Sequence, residues 1–270
     1  MQLTLQSHTI LNNGVEIPRL GLGVYQSPIG ETTFRAVRYA LKIGYRHIGT
    51  AWLYGNEGDV GDAILKSGLP REQTFITTKI WNSDQGYEST LTAFERSLRR
   101  LGLTYVDLYL IHWPVKGLGK ATWKAMIKLL KDNKVRAIGV SNYEIPHLQE
   151  IIQNFDVKPT INQVEFHPFL FTRELLQFCK MNKIQLEAYS PLTRGIKLNN
   201  ATLKAIGDKY SKTPAQILIR WGSQHDLVVI PKSAHENRIK ENSQVFDFQL
   251  EKRDMELLDS LNEDLRTVFL

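Results

Sequence analysis

Gly44-Tyr45-Arg46-His47-Ile48-Gly49-Thr50-Ala51-Trp52-Leu53-Tyr54-Gly55-Asn56-Glu57 decides the fold. A short strand-like run, residues 46–48, stops at a glycine. It gives way to a loop rich in polar and aromatic side chains, ahead of a helical stretch. The same succession recurs along the chain. Residues 74–78 run into Lys79, residues 106–111 into His112-Trp113-Pro114, and residues 135–140 into Ser141-Asn142. Residues 160–164 carry Gln163 and lead to Glu165 and His167. Residues 184–188 lead to Tyr189-Ser190-Pro191, and residues 227–230 to Pro231-Lys232-Ser233. With residues 20–23 at the front, the reading predicts eight strands.

Helical periodicity fills the gaps. Tyr87, Leu91, Phe94, Leu98 and Leu101 step by four and three, which places them on one helix face. Trp123, Met126, Ile127 and Leu130 do the same, as do Leu148, Ile151, Ile152 and Phe155. Pro214 is placed to start the helix of Ile217, Leu218 and Trp221, because a first-turn N–H has no helical partner to lose. Strands alternating with helices imply a parallel sheet, and eight such units close a (β/α)8 TIM barrel. An open doubly wound sheet is the alternative. Its Gly-rich fingerprint is incomplete here, since Gly21-Leu22-Gly23 runs on into Val24-Tyr25-Gln26. The prediction is therefore an α/β chain with one barrel domain over residues 1–270. Residues 9–11 and 15–17 flank Asn12-Asn13-Gly14 and read as a β-hairpin closing the barrel bottom.

Composition narrows the function classes. The 270 residues are 42% hydrophobic and 23% charged, which excludes disordered and low-complexity architectures. No apolar run reaches the roughly 18 residues of a membrane span. Residues 1–9 lack a secretory pattern, so a cytoplasmic protein is expected, and no apolar face argues against a monomer. The formal charge is +6, but the basic residues are scattered, and no nucleic-acid partner is expected. Cys179 is the single cysteine, lies in an apolar helical pattern, and reads as a buried thiol. His112, Glu165 and His167 form no close ligand cluster, so neither a metal site nor a metal-dependent hydrolase is expected.

In a barrel, the polar residues following the strands share one rim, where active sites are built. The residues on that rim resemble the aldo-keto reductase family. The resemblance rests on the 44–57 segment, Leu110-Ile111-His112-Trp113-Pro114, Ile138-Gly139-Val140-Ser141-Asn142, and Ile230-Pro231-Lys232-Ser233 with Arg238-Ile239-Lys240-Glu241-Asn242. It covers essentially the whole chain. The short loops are similar to compact, prokaryote-type members such as diketogluconate reductases and prostaglandin F synthase-like reductases.

The resemblance implies reduction of an aldehyde or ketone by hydride transfer from NADPH, with a proton delivered to the oxygen. Tyr54 matches the proton donor, Lys79 the ammonium that lowers its pKa, and His112 the residue that orients the carbonyl. Ser141, Asn142 and Gln163 match the groups that bind the nicotinamide amide, and Tyr189 the ring that stacks on it. Ser190 and Leu192 fall beside it on the cofactor path. Lys232, Ser233, Arg238 and Asn242 match the grip on the adenosine 2′-phosphate, which favours NADPH over NADH. Tyr25, Trp52, Trp81 and Trp113 are expected to wall the cleft for a small-molecule carbonyl. The chain departs from the family pattern at Gly49, where an aspartate normally pairs with the lysine. Loss of that carboxylate is expected to slow turnover while leaving NADPH binding intact. The same departure supports the alternative of a non-catalytic NADPH-binding sensor or partner-binding relative.

Overall fold

In a computed structural model, which describes residues 3–269, Gly14 adopts φ 84° and turns the chain between two short strands. These are β1 (His8–Ile10) and β2 (Glu16–Pro18), paired antiparallel. Positions 1, 2 and 270 of the expected domain lie outside the described residues. The hairpin is pinned beneath the barrel by its turn, where Asn12 Nδ2 donates to the Pro159 carbonyl and Asn13 Nδ2 to that of Arg136, both at 2.9 Å.

The predicted strands follow within two residues of their expected bounds: β3 (Gly21–Gly23), β4 (His47–Gly49), β5 (Phe75–Ile80), β6 (Val106–Ile111), β7 (Val135–Ser141), β8 (Ile161–Glu165), β9 (Gln185–Tyr189) and β10 (Val228–Val229). They pair in parallel in that order, in an eight-stranded sheet. Parallel bridges from Leu20 to Val229 and from Gly23 to Lys232 join its first and last strands into a barrel.

One helix crosses over after each of the first six barrel strands: α1 (Glu31–Lys42), α2 (Glu57–Ser67), α3 (Tyr87–Leu101), α4 (Gly119–Lys131), α5 (Ile145–Asn154) and α6 (Arg173–Met181). Two helices, α7 (Ala201–Tyr210) and α8 (Pro214–Gln224), fill the next crossover. The chain ends with α9 (Glu236–Ser243) and α10 (Lys252–Asp259). Pro214 opens α8 as expected, inside a capping box in which Thr213 and Gln216 satisfy each other's backbone. Cys179 is buried on α6.

The interior is divided by chemistry. Between sheet and helices lies an apolar shell that includes Ile48, Phe94, Trp123 and Trp221. Inside the barrel, Phe75, Leu108, Leu110, Ile161 and Val228 form a second apolar cluster, plugged by Leu11 and Ile17 of the hairpin segment. Other buried residues of the barrel strands are polar or charged: His47, Thr77, Lys79, Gln163 and Glu187.

Helices α2 and α3 meet at Gly61, where a Cβ would come 2.0 Å from the Leu101 carbonyl oxygen. Gly58, one turn earlier, would place its Cβ at 3.8 Å from the nearest backbone atom. Gly61→Ala is therefore expected to destabilise the fold by about 1–3 kcal/mol through overpacking. Gly58→Ala should hold or raise stability through helix propensity. Paired thermal melts check this; equal melting temperatures for the two variants would refute the close approach.

Candidate active site

After Gly49 the chain makes a single helical turn, Trp52–Tyr54, closed by Gly55 at φ 70°. Thr50 Oγ1 donates to Asn56 Oδ1 at 2.8 Å, and Asn56 Nδ2 donates to the Val24 carbonyl at 3.0 Å, fixing this loop to the neighbouring strand end. The turn brings Tyr54 over Lys79 of β5. Lys79 Nζ donates to the Tyr54 hydroxyl at 3.0 Å and to the Thr50 carbonyl at 3.1 Å. His112, held at the end of β6 by its N–H to the Ile80 carbonyl, is the third member. Its ring lies edge-on to Tyr54 at 5.6 Å and to Trp81 at 5.2 Å.

Burial governs the titration of all three. It pushes the Lys79 ammonium down to about 8, opposed by the charge of Glu187. Burial and then the Lys79 charge hold the His112 imidazole well below its usual range, so it is neutral. The Tyr54 phenol is pushed well above its ordinary value by burial, with Tyr189, Tyr25 and Glu187 adding to the rise. Burial thus favours the protonated phenol, whose hydroxyl accepts the hydrogen bond from Lys79.

The expected cofactor-binding residues gather along one cavity of about 660 Å³ at the strand ends. Ser141 Oγ donates to the Gln163 carbonyl at 2.8 Å. Asn142, at φ 62°, donates from Nδ2 to the His112 carbonyl at 3.0 Å and accepts at Oδ1 from the Tyr189 hydroxyl at 2.9 Å. Gln163 Nε2 donates to Glu187 Oε2 at 2.9 Å. Ser190, at φ 47°, turns the chain toward Leu192, and both line the cavity. At the far end Ser233 leads into α9, its hydroxyl accepting from the His235 N–H at 3.1 Å. Lys232 and Arg238 line that end with exposed side chains, and Asn242 is buried behind them.

The aromatic residues divide. Tyr25 and Trp113 line the cavity, with the Tyr25 ring 4.9 Å from that of Tyr54. Trp81 borders it through His112. Trp52 does not wall the cleft: its ring lies beneath the Arg100 guanidinium of α3, at 5.6 Å, because the helical turn directs it away from the mouth. Glu165 anchors the C-terminal tail. Glu165 lies 3.3 Å from His167 Nε2 and accepts the Thr267 N–H at 2.9 Å and the Val268 N–H at 3.3 Å.

Gly49 faces the cavity, and a Cβ there would meet only ordinary contacts, Ile230 Cδ1 at 3.7 Å and the Leu22 carbonyl oxygen at 4.0 Å. A side chain would fit. Two residues escaped the sequence reading, His47 and Glu187, both fully buried inside the barrel. The available signal was ionisable side chains in the middle of strand-like runs.

Comparison with known proteins matches residues 19–263 to the Aldo/keto reductase family. The glyoxal reductase of Bacillus subtilis is 52% identical over 266 residues, covering 98% of this chain and 96% of the relative. A solved aldo-keto reductase enzyme, MGS-M4 from a Medee basin deep-sea metagenome library, is 47% identical with a TM-score of 0.94, over 98% of this chain and 97% of that one. The aldo-keto reductase AKR2E5, solved complexed with NADPH, is 34% identical with a TM-score of 0.93, over 99% and 91% of the two chains.

Proposed function

The chain belongs to the aldo/keto reductase family, and we propose that it reduces small aldehydes and ketones with NADPH, using Tyr54 as proton donor assisted by Lys79 and His112. As a family member it is an NADP-dependent oxidoreductase acting on carbonyl groups. The observation that carries the reading is the 3.0 Å contact between Lys79 Nζ and the Tyr54 hydroxyl, at the mouth of a barrel beside a neutral histidine.

The donor set fits the cofactor. Lys232 and Arg238 offer two exposed cations where a phosphate would sit, and Ser141, Asn142 and Gln163 offer hydroxyl and amide groups beside His112. NADPH supplies, when bound, the hydride that reduces the carbonyl carbon. Tyr54 gives its hydroxyl proton to the oxygen that becomes the alcohol. Lys79 then stabilises the phenolate through the hydrogen bond it already makes. His112, neutral, orients the carbonyl oxygen with a ring N–H and does not compete as the acid. The 52% identity to a glyoxal reductase makes short α-dicarbonyls the first substrates to test. We place the enzyme in the cytoplasm as a monomer, on its composition and surface pattern.

Gly49 occupies the position of the family aspartate, and its effects oppose one another. Without a carboxylate, the ammonium has more pull on the phenol, but it also loses an anchor and gives up its proton more readily. Loss of anchoring outweighs the gain, and turnover is lowered by about one to three orders of magnitude, as for other lost preorganised electrostatic contacts. The same glycine favours a second reading, a nucleotide-binding relative without catalysis.

Rates, pH dependence and cofactor binding test these readings. The protein should oxidise NADPH when glyoxal is added, and Tyr54→Phe should cut the rate at least about a hundredfold; an unchanged rate in that variant refutes the proton donor. Turnover should fall as pH rises through about 8, where Lys79 gives up its proton. Gly49→Asp should raise the rate and move that alkaline limb upward, since a carboxylate favours the ammonium. If both the wild type and Gly49→Asp bind NADPH and neither turns over, the binding-module reading replaces the enzyme. Finally, Arg238→Ala should weaken NADPH binding about tenfold or more while leaving NADH nearly unaffected; equal losses would place the 2′-phosphate elsewhere.

A further inference from the structure

We propose that Glu187 is the positioning residue that keeps Lys79 charged in a chain with glycine at position 49, joining the proton-donor pair to Gln163. The proposal rests on the reductase reading above and deepens it.

Lys79 is 1% exposed, and its Nζ hydrogen bonds go to a carbonyl and a phenol, neither of which carries a charge. A buried ammonium with only neutral partners is held at a large desolvation cost unless an anion acts on it from nearby. Glu187 is that anion. It sits on β9 with no exposure, 3.5 Å from His47, whose ring also meets Thr77 two residues before Lys79 on β5, and 2.9 Å from Gln163, which lines the same cavity as Lys79. Within this cluster its charge acts to keep the ammonium, as the ammonium in turn acts to keep the carboxylate. The pair makes no direct ion contact. Both groups are buried, so the attraction is weakly screened.

The other groups facing Glu187 do not replace Lys79. His47 of β4 approaches Glu187 Oε1 to 3.5 Å, but burial and the Lys79 charge hold its imidazole at about 3, so it is neutral. His47 Nε2 also lies 3.1 Å from Thr77 Oγ1 of β5. Gln163 of β8 donates to Glu187 Oε2 at 2.9 Å without a charge, and Val228 of β10 pairs alongside as an apolar neighbour. Tyr54 feels the carboxylate as a further rise in its own pKa, and His112 answers to Lys79. Glu187 Oε1 has no hydrogen-bond partner among the described residues. A carboxylate placed only to receive the Gln163 amide would serve as well as a glutamine.

Glu187→Gln isolates the charge, because it keeps the shape and an oxygen acceptor for Gln163. With glyoxal and saturating NADPH, the variant should lose about tenfold in kcat with KM within about twofold. Its alkaline limb should move to lower pH by about one unit. In the Gly49→Asp background the same substitution should cost less than threefold, because the new carboxylate holds the ammonium. An unchanged pH profile in Glu187→Gln, or an equal loss in both backgrounds, overturns the proposal. Should Glu187→Gln fail to fold, Glu187→Asp decides: it retains the charge and should leave the limb in place, and an acid shift there overturns the role. Wild-type turnover with an unmoved Glu187→Gln profile rejects this inference alone, whereas a wild type with no turnover rejects the reductase reading on which it stands.

Discussion

A single ammonium inside a ring of strands organises the functional end of this molecule. Tyr54 reaches Lys79 of β5 because the turn after β4 folds back across the barrel mouth. Desolvation is what gives the contact force. In water a lysine and a tyrosine 3.0 Å apart would scarcely alter one another; here burial lowers the one and raises the other, so that both sit closer to the neutral form. The apolar plug beneath belongs to the same device. Leu11 and Ile17 of the hairpin segment complete an apolar cluster with Phe75, Leu108 and Val228, and help keep water from entering the polar interior from below.

The rim was readable from sequence because barrel closure turns a one-dimensional rule into a place. Each strand end carried an uncommon side chain, and folding brought Tyr54, Lys79, His112, Ser141, Asn142, Gln163, Tyr189 and Lys232 around one cavity. Residues inside the strands were less legible. In Gln185-Leu186-Glu187-Ala188-Tyr189 successive side chains alternate between the helix layer and the barrel interior, and in a barrel both faces are buried. Burial of Leu186 and of Glu187 thus looks alike in the sequence, although one packs on helices and the other meets Lys79 electrostatically. Trp52 failed for a different reason. A helical turn of three residues has no periodicity to read, so nothing in the sequence indicated that its ring would lie under Arg100 while Tyr54, two positions on, faced the site.

Charge balance explains how the interior tolerates a glycine at position 49. Inside the barrel Lys79 and Glu187 offer one potential cation and one potential anion, beside the neutral His47. Such an interior is balanced without a further carboxylate, and it folds around that balance. Balance at a distance is not the same as contact, however. Glu187 can favour the charged state of Lys79, but it cannot fix the direction of the ammonium, which is left to the Thr50 carbonyl and the Tyr54 hydroxyl. A second carboxylate at position 49 would add direction at the expense of balance: with two anions flanking one cation, the more deeply buried would be driven to take up a proton. Burial already pushes Glu187 up to about 7, which makes it the group that would yield. The two positions are therefore coupled through the lysine between them. A carboxylate at either position would favour the same ammonium, and adding the second would shift the ionisation of the first.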